Sequence, residues 1–225
     1  VEELLEKDRG GSPRAQEKQS ISPFVELSPQ LSLLAEDDRI YGTVEQLLGS
    51  GFIWAGSEGQ LTGWSTLPHV GWHADRHGER ELGYDRVKVM LYLDAVTANH
   101  GALRIIPGSH RKPMHMDLEV LHGLEAEDAS PFGVDGPDMP GLVLESSPGD
   151  VVFFNHNLYH AMFNGWAGRR YIALKYASNP VGPRDVETLT HYATDVFSVH
   201  GSFLNSDSPR IRGMVERLMA VAPKA

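Results

Sequence analysis

Residues 151–176, VVFFNHNLYHAMFNGWAGRRYIALKY, decide the fold, together with a short upstream partner, Gly71-Trp72-His73-Ala74-Asp75. The longer stretch is dense in β-branched and aromatic residues. It carries His160, breaks at Asn164-Gly165 and resumes as Arg169-Arg170-Tyr171-Ile172-Ala173-Leu174, the pattern of two strands joined by a turn. In the upstream partner, the period of two along an extended chain puts His73 and Asp75 on one face, where an imidazole and a carboxylate reach a common point. His160 completes a set of two histidines and one carboxylate.

That donor set has a defined chemistry. Two neutral imidazoles and one carboxylate occupy one face of an octahedral ferrous ion and leave the opposite face for a co-substrate and dioxygen, the arrangement of non-haem iron oxygenases. A His-x-Asp triplet alone is a weak signal, because hydrogen-bonded surface pairs share it. The order is more specific: His-x-Asp, a β-rich interval, a strand histidine, then an arginine opening the next strand. Arg169 and Arg170 point to opposite faces of that strand, so only one enters a barrel. A guanidinium fork suits a carboxylate gripped at two points, and its burial is costly without such a partner.

Outward from this stretch, short strands are signalled at 52–55, 87–93, 102–106, 142–144, 151–154, 159–163 and 169–176, separated by Gly, Pro and Asn turns. Many short strands without intervening helices predict a mainly β fold, an antiparallel barrel or sandwich. Helices flank it. From Asp38 the apolar positions Ile40, Val44, Leu47 and Leu48 follow helical spacing, with Gly49 placed to stop the helix. Ser208-Pro209 supplies a cap and a first-turn proline for a closing helix over 208–222, with Ile211, Val215, Leu218 and Met219 as its apolar face. Residues 1–22 read as a flexible N-terminal segment, polar from Asp8 onward with Gly10, Gly11 and Pro13. Residues 112–141, rich in Glu, Asp, Gly and Pro, are too long for a plain turn and predict a mobile lid insertion.

The 225 residues, 41% hydrophobic, suit a single domain with one sizeable core. A formal charge of −10 argues against a nucleic-acid backbone or an anionic membrane surface as partner, since both call for clustered Lys and Arg. With no cysteine there is no disulfide framework, thiolate metal site or cysteine nucleophile. No apolar run approaches the length of a membrane span and no signal-peptide pattern opens the chain, so a cytoplasmic protein is expected. His69 and His73, like His156 and His160, have the helical spacing of a zinc pair, but Pro68, Gly71 and strand-type neighbours argue against a helix at either place. His77, His100, His110, His115, His122, His191 and His200 fall in polar or turn contexts and read as surface or supporting residues.

The segments GWHADRHG, VKVMLYLDAVTANHGALRIIPGSHR and PGDVVFFNHNLYHAMFNGWAGRRYIALKYA resemble the three signature blocks of the phytanoyl-CoA dioxygenase family, over residues 24–177. The resemblance implies a double-stranded β-helix (a jelly-roll or cupin-like barrel) with flanking α-helices. It implies Fe(II), 2-oxoglutarate and O2 as cofactors, and hydroxylation or a related oxidation of a small-molecule substrate with release of succinate and CO2. Matched position by position, it implies His73, Asp75 and His160 as the iron ligands at the catalytic centre and Arg169 as the arginine that grips the distal carboxylate of 2-oxoglutarate. It also implies that an opening strand and helix precede Val1. Two other readings of the same residues stay open. One is a cupin-like Zn or Ni hydrolase or isomerase, which needs neither Arg169 nor a keto acid; the other is a non-catalytic ligand-binding β-barrel, in which the triad has no purpose.

Overall fold

The structure is a computed structural model that describes residues 3–4, 7, 19–62, 69–122, 124, 132–192 and 196–222. Its strands are β1 Gln19–Ile21, β2 Ile53–Leu61, β3 Val70–His73, β4 Arg86–Tyr92, β5 Leu103–Ile105, β6 Leu142–Leu144, β7 Val151–Asn155, β8 His160–Met162 and β9 Arg170–Ala177. They form a five-stranded sheet in the order β1-β2-β9-β4-β7 and a four-stranded sheet in the order β3-β8-β5-β6. The pairs β1/β2, β3/β8, β5/β8 and β5/β6 are antiparallel. The expected mainly antiparallel fold with flanking helices is therefore present, built as two sheets in place of a closed barrel. Among the described residues no helix is long and apolar enough to cross a membrane.

The described residues fall into two compact units, one within Val1–Ile21, Gly59–Leu82 and Met90–Ile172, the other within Ser22–Glu58, Gly83–Val89 and Ala173–Ala225. In the first, the register of the four-stranded sheet sets His73 opposite His160, and His160 opposite Ile105, while Arg104 stands opposite Ala161. Directly opposed residues share a face, so His73, His160 and Ile105 are on one side and Arg104 and Ala161 on the other. The second side is the covered one. Trp72, Ala74, Leu121, Met139, Tyr159, Ala161 and Phe163 make a buried cluster there, with Ile106, Leu118 and Leu124 against it.

Leu118, Leu121, Leu124 and Met139 belong to the 112–141 segment, so its described parts act as a strap across the face opposite the paired histidines. Trp72 Nε1 donates to the Gly136 carbonyl at 2.8 Å, and Arg104 Nη1 donates to the Pro137 carbonyl. A Cβ at Gly141 would stand 2.8 Å from Trp72 Cη2, so only glycine lets the strap cross that ring. The rest of the expected lid, 123 and 125–131, lies outside the described residues. Of the expected flexible N-terminus, 8–18 likewise lie outside them, whereas Gln19–Ile21 form β1, with Ile21 opposite Gly59 of β2.

In the second unit, helix α1 (Asp38–Leu48) is capped by Asp37, whose side chain accepts from Arg39 N at 3.0 Å, and stops at Gly49 with φ +82°. Ile40 and Val44 point inward; Leu47, expected inside, is 54% exposed. Helix α2 (Pro183–Tyr192) has too few apolar positions for periodicity to reveal it, with Thr188 and Leu189 as its buried residues. Helix α3 (Pro209–Ala220) has the expected Ser208 cap, but Met214 completes its buried stripe with Ile211, Val215 and Leu218, and Met219 is exposed. A stripe at i, i+3, i+4 and i+7 is the tighter fit to one helix face.

Beside these helices, Trp54 packs its ring at 5.1 Å from both Tyr176 and Phe203, and its Nε1 donates to Glu26 at 2.9 Å. Glu26 is 4% exposed and also accepts from Phe24 N at 3.1 Å and from the Ser57 hydroxyl. Deleting this carboxylate leaves buried donors with no acceptor, at about 1–3 kcal/mol each. Glu26→Ala is therefore expected to lower stability by about 3 kcal/mol or more in chemical denaturation, and Glu26→Gln, which keeps one acceptor, by clearly less. Equal losses would contradict the acceptor role.

Candidate metal centre

Strand β3 ends on His73 and β8 begins on His160, opposite one another, and Asp75 follows two residues after β3. The ligand atoms of His73, Asp75 and His160 all lie within 4.8 Å of one another. Asp75 Oδ1 is 3.9 Å from Nε2 of His73 and 3.9 Å from Nε2 of His160. The two rings stand 4.3 Å apart, centre to centre.

Protonation follows from the backbone. His73 Nδ1 lies 2.8 Å from the Gly71 carbonyl and His160 Nδ1 lies 2.9 Å from the Leu158 carbonyl. A carbonyl only accepts, so each Nδ1 is the donor of that contact, and Nε2 is the ring nitrogen turned toward Asp75. Donors about 2.1 Å from a divalent ion at right angles stand roughly 3 Å apart. The observed spacing therefore fits such an ion after a small inward shift. The Phe154 ring, 4.9 Å from that of His160, supplies an apolar wall, while His73 and Asp75 keep side-chain exposures of 28% and 23% as the open side.

The loops behind the ligands are cross-linked. Arg76 N donates to the His156 carbonyl at 3.0 Å, and Asn157 Nδ2 donates to the Arg76 carbonyl at 3.1 Å. His115, fully buried within the strap, accepts from Gly78 N on its Nε2 at 3.1 Å, while its Nδ1 faces the Ser109 and Asn157 carbonyls at 3.1 and 3.0 Å. One neutral imidazole thus ties the loop after Asp75 to the loop before His160. Sequence reading missed this role, because the three backbone groups it joins are distant in the chain. His77 and His122 also meet ring to ring at 3.5 Å, and burial lowers the pKa of both.

Arg169 and Arg170 have different surroundings. Arg170 donates to Asp94 through its backbone N, Nε and Nη2 at 2.8, 3.1 and 2.8 Å. Arg169 is 4% exposed, gives Nη1 to the Gly101 carbonyl at 3.2 Å and has a buried Nε with no hydrogen-bond partner. Among the described residues no carboxylate pairs with it.

The family model for phytanoyl-CoA dioxygenase matches residues 5–164. The chain belongs to that family. The match includes His73, Asp75 and His160 and stops short of Arg169. A curated relative, the dioxygenase lolE1 of Epichloe uncinata, is 28% identical over 93 residues, 40% of this chain and 32% of the relative, so the chain matches about a third of that protein's length. The chain also shares its fold with solved structures. HygX from Streptomyces hygroscopicus, with nickel and 2-oxoglutarate bound, aligns with TM-score 0.60 at 18% identity over 78% of this chain and 74% of its own. SnoK, a non-heme alpha ketoglutarate dependent carbocyclase from nogalamycin biosynthesis, aligns with TM-score 0.56 at 19% identity over 79% and 72%.

The Arg170–Asp94 pair has a pH signature. Hydrogen bonds from Arg170 hold the Asp94 carboxyl below its ordinary 3.8 against the opposing effect of burial. A depressed folded pKa contributes stability above the unfolded value that is lost as pH falls through the folded one. Asp94→Asn is expected to melt below the unmodified protein at neutral pH, with the gap closing as the pH drops below 3.8; a gap constant with pH would show that the pair contributes nothing through its charge.

Proposed function

We propose that this member of the phytanoyl-CoA dioxygenase family is an Fe(II)- and 2-oxoglutarate-dependent dioxygenase that hydroxylates or otherwise oxidises a small organic substrate, with release of succinate and CO2. One observation carries the reading: two imidazole nitrogens and a carboxylate oxygen converge within 4.8 Å of one another, a donor set that suits a ferrous ion with open positions. In this reading His73 Nε2, Asp75 Oδ1 and His160 Nε2 hold the ion. Iron and the keto acid, when bound, supply the activation of dioxygen and the oxidative decarboxylation that accompanies it.

This chain's own residues do the rest. Asp75 offsets one of the ion's positive charges. The Gly71 and Leu158 carbonyls keep the two imidazoles in the tautomer that ligates, and Phe154 keeps water from one side of His160. Arg169, buried with no carboxylate in hydrogen-bonding contact among the described residues, grips the distal carboxylate of 2-oxoglutarate with a fork that suits two oxygens. HygX, crystallised with 2-oxoglutarate, and SnoK, named for the same keto acid, support 2-oxoglutarate as the co-substrate. We take the chain as one oxygenase domain working in the cytoplasm, and its charge of −10 supports a small-molecule substrate over nucleic acid.

Asp75 also bears on the outcome. A carboxylate already fills the iron position that a halide would need, so oxygen insertion or a related two-electron oxidation is expected and halogenation is not.

Metal analysis and calorimetry test the site. The unmodified protein is expected to bind one Fe(II) per chain and His160→Ala to lose stoichiometric binding. Arg169→Ala is expected to weaken 2-oxoglutarate by about a hundredfold or more while Arg170→Ala changes it little. Tight Fe(II) in His160→Ala would overturn the triad, and the reverse arginine result would shift the strand by one residue. With substrate, excess chloride and labelled oxygen gas, product mass is expected to show retained oxygen or loss of two hydrogens; a chlorinated product would overturn the role of Asp75.

A further inference from the structure

We propose that the stacked pair His100–Trp166, seated on Gly101, is the positioning element that holds Arg169 for the co-substrate carboxylate, with Trp166 closing one side of the anion pocket. The proposal rests on the reading of Arg169 as the co-substrate's anchor, but the residues that carry it lie outside that reading.

Gly101 has φ +71°, and a Cβ built on it would stand 3.1 Å from Trp166 Cζ3, 3.3 Å from Gly165 Cα and 3.4 Å from Arg169 Cδ. The indole and the arginine stem therefore both pack against Gly101, and only the absence of a side chain there lets both approach it. The same glycine accepts from Arg169 Nη1 through its carbonyl and donates its N–H to the Phe163 carbonyl at 3.1 Å. Arg169 N in turn faces the Trp166 carbonyl at 3.4 Å. His100 lies on the outer face of the indole, ring centres 4.0 Å apart and 5° from parallel.

The hairpin beneath is itself held. Thr97 and His100 exchange backbone hydrogen bonds at 2.9 and 3.1 Å. Ala98 donates its N–H to Glu145 at 2.8 Å and accepts from Arg104 Nη2 at 3.2 Å. A buried guanidinium with one committed donor and a buried Nε without a partner would rotate or draw in water unless its stem were clamped. The Gly101 carbonyl, the indole packed on the same glycine and the Tyr171 ring 5.3 Å from the guanidinium carbon are that clamp, and they leave Nε as an uncommitted donor for an anion.

The test is calorimetric titration of 2-oxoglutarate into protein loaded with Ni(II), which binds without turnover, read beside tryptophan fluorescence. Trp166→Ala is expected to weaken 2-oxoglutarate about tenfold or more with one Ni(II) per chain retained, and Trp166→Phe, which keeps an aromatic wall, to restore binding to within about threefold. In turnover, Trp166→Ala should raise the KM for 2-oxoglutarate and leave kcat at saturation largely intact. The fluorescence change on 2-oxoglutarate addition should vanish in Trp166→Phe. Should Trp166→Ala fail to fold, His100→Ala, which removes only the outer ring, is expected to weaken binding by about threefold. Unchanged affinity in Trp166→Ala, or in His100→Ala where the first variant does not fold, would overturn the clamp. If Arg169→Ala binds 2-oxoglutarate as well as the unmodified protein, the anchor reading itself fails; if only Arg169→Ala loses affinity, the anchor stands and the clamp does not.

Discussion

Two imidazoles whose Nδ1 atoms face backbone carbonyls, and a carboxylate whose Oδ1 lies 3.9 Å from each Nε2, form an arrangement suited to a shared cation. The rest of the first unit reads as what is needed to keep those three side chains together. The antiparallel register of β3 and β8 brings His73 and His160 level, and two backbone carbonyls fix their tautomers. His115 pins the loops on either side, through Gly78 after Asp75 and Asn157 before His160. The strap over the opposite face buries the sheet's apolar side under Leu121 and Met139, so the strand ends carrying the ligands are backed by packed side chains.

Charge placement follows the same logic. Arg170 meets its counter-ion inside the protein, in a three-point contact with Asp94. Arg169, one residue earlier, is more deeply buried and has none among the described residues. A buried guanidinium with no carboxylate in direct contact is costly, and under the proposed function an anionic co-substrate would offset that cost.

Much of this was legible in the chain. Turn residues and strand-type composition placed six strands to within one position, though β2 runs to Leu61, six residues past the expected 55, and Asp75 meets His73 from two residues beyond the end of β3. Helical spacing and the stop at Gly49 placed α1, and the Ser208 cap placed α3, because these residues do local work that sequence records directly. The misses have physical causes. β1 hides in a polar segment because an edge strand needs hydrogen-bond partners more than apolar side chains. α2 offers too narrow a buried stripe for periodicity to detect. The strap's anchors, Leu118, Leu121 and Met139, are scattered through a polar, Gly- and Pro-containing stretch, so composition did not reveal that its described parts pack against the sheet. Alternation showed that Arg169 and Arg170 diverge but not which one turns inward; Asp94, distant in sequence, decides that.

The most direct test of the account is an anaerobic optical titration of the metal-free protein, with Fe(II) first and 2-oxoglutarate second. Chelation of the keto acid to iron at this centre should produce a weak visible charge-transfer band that needs both additions, saturates at one of each per chain and is absent from the Asp75→Ala protein. A band that forms unchanged without Asp75, or no band at saturating concentrations of both, would contradict the assignment of this site.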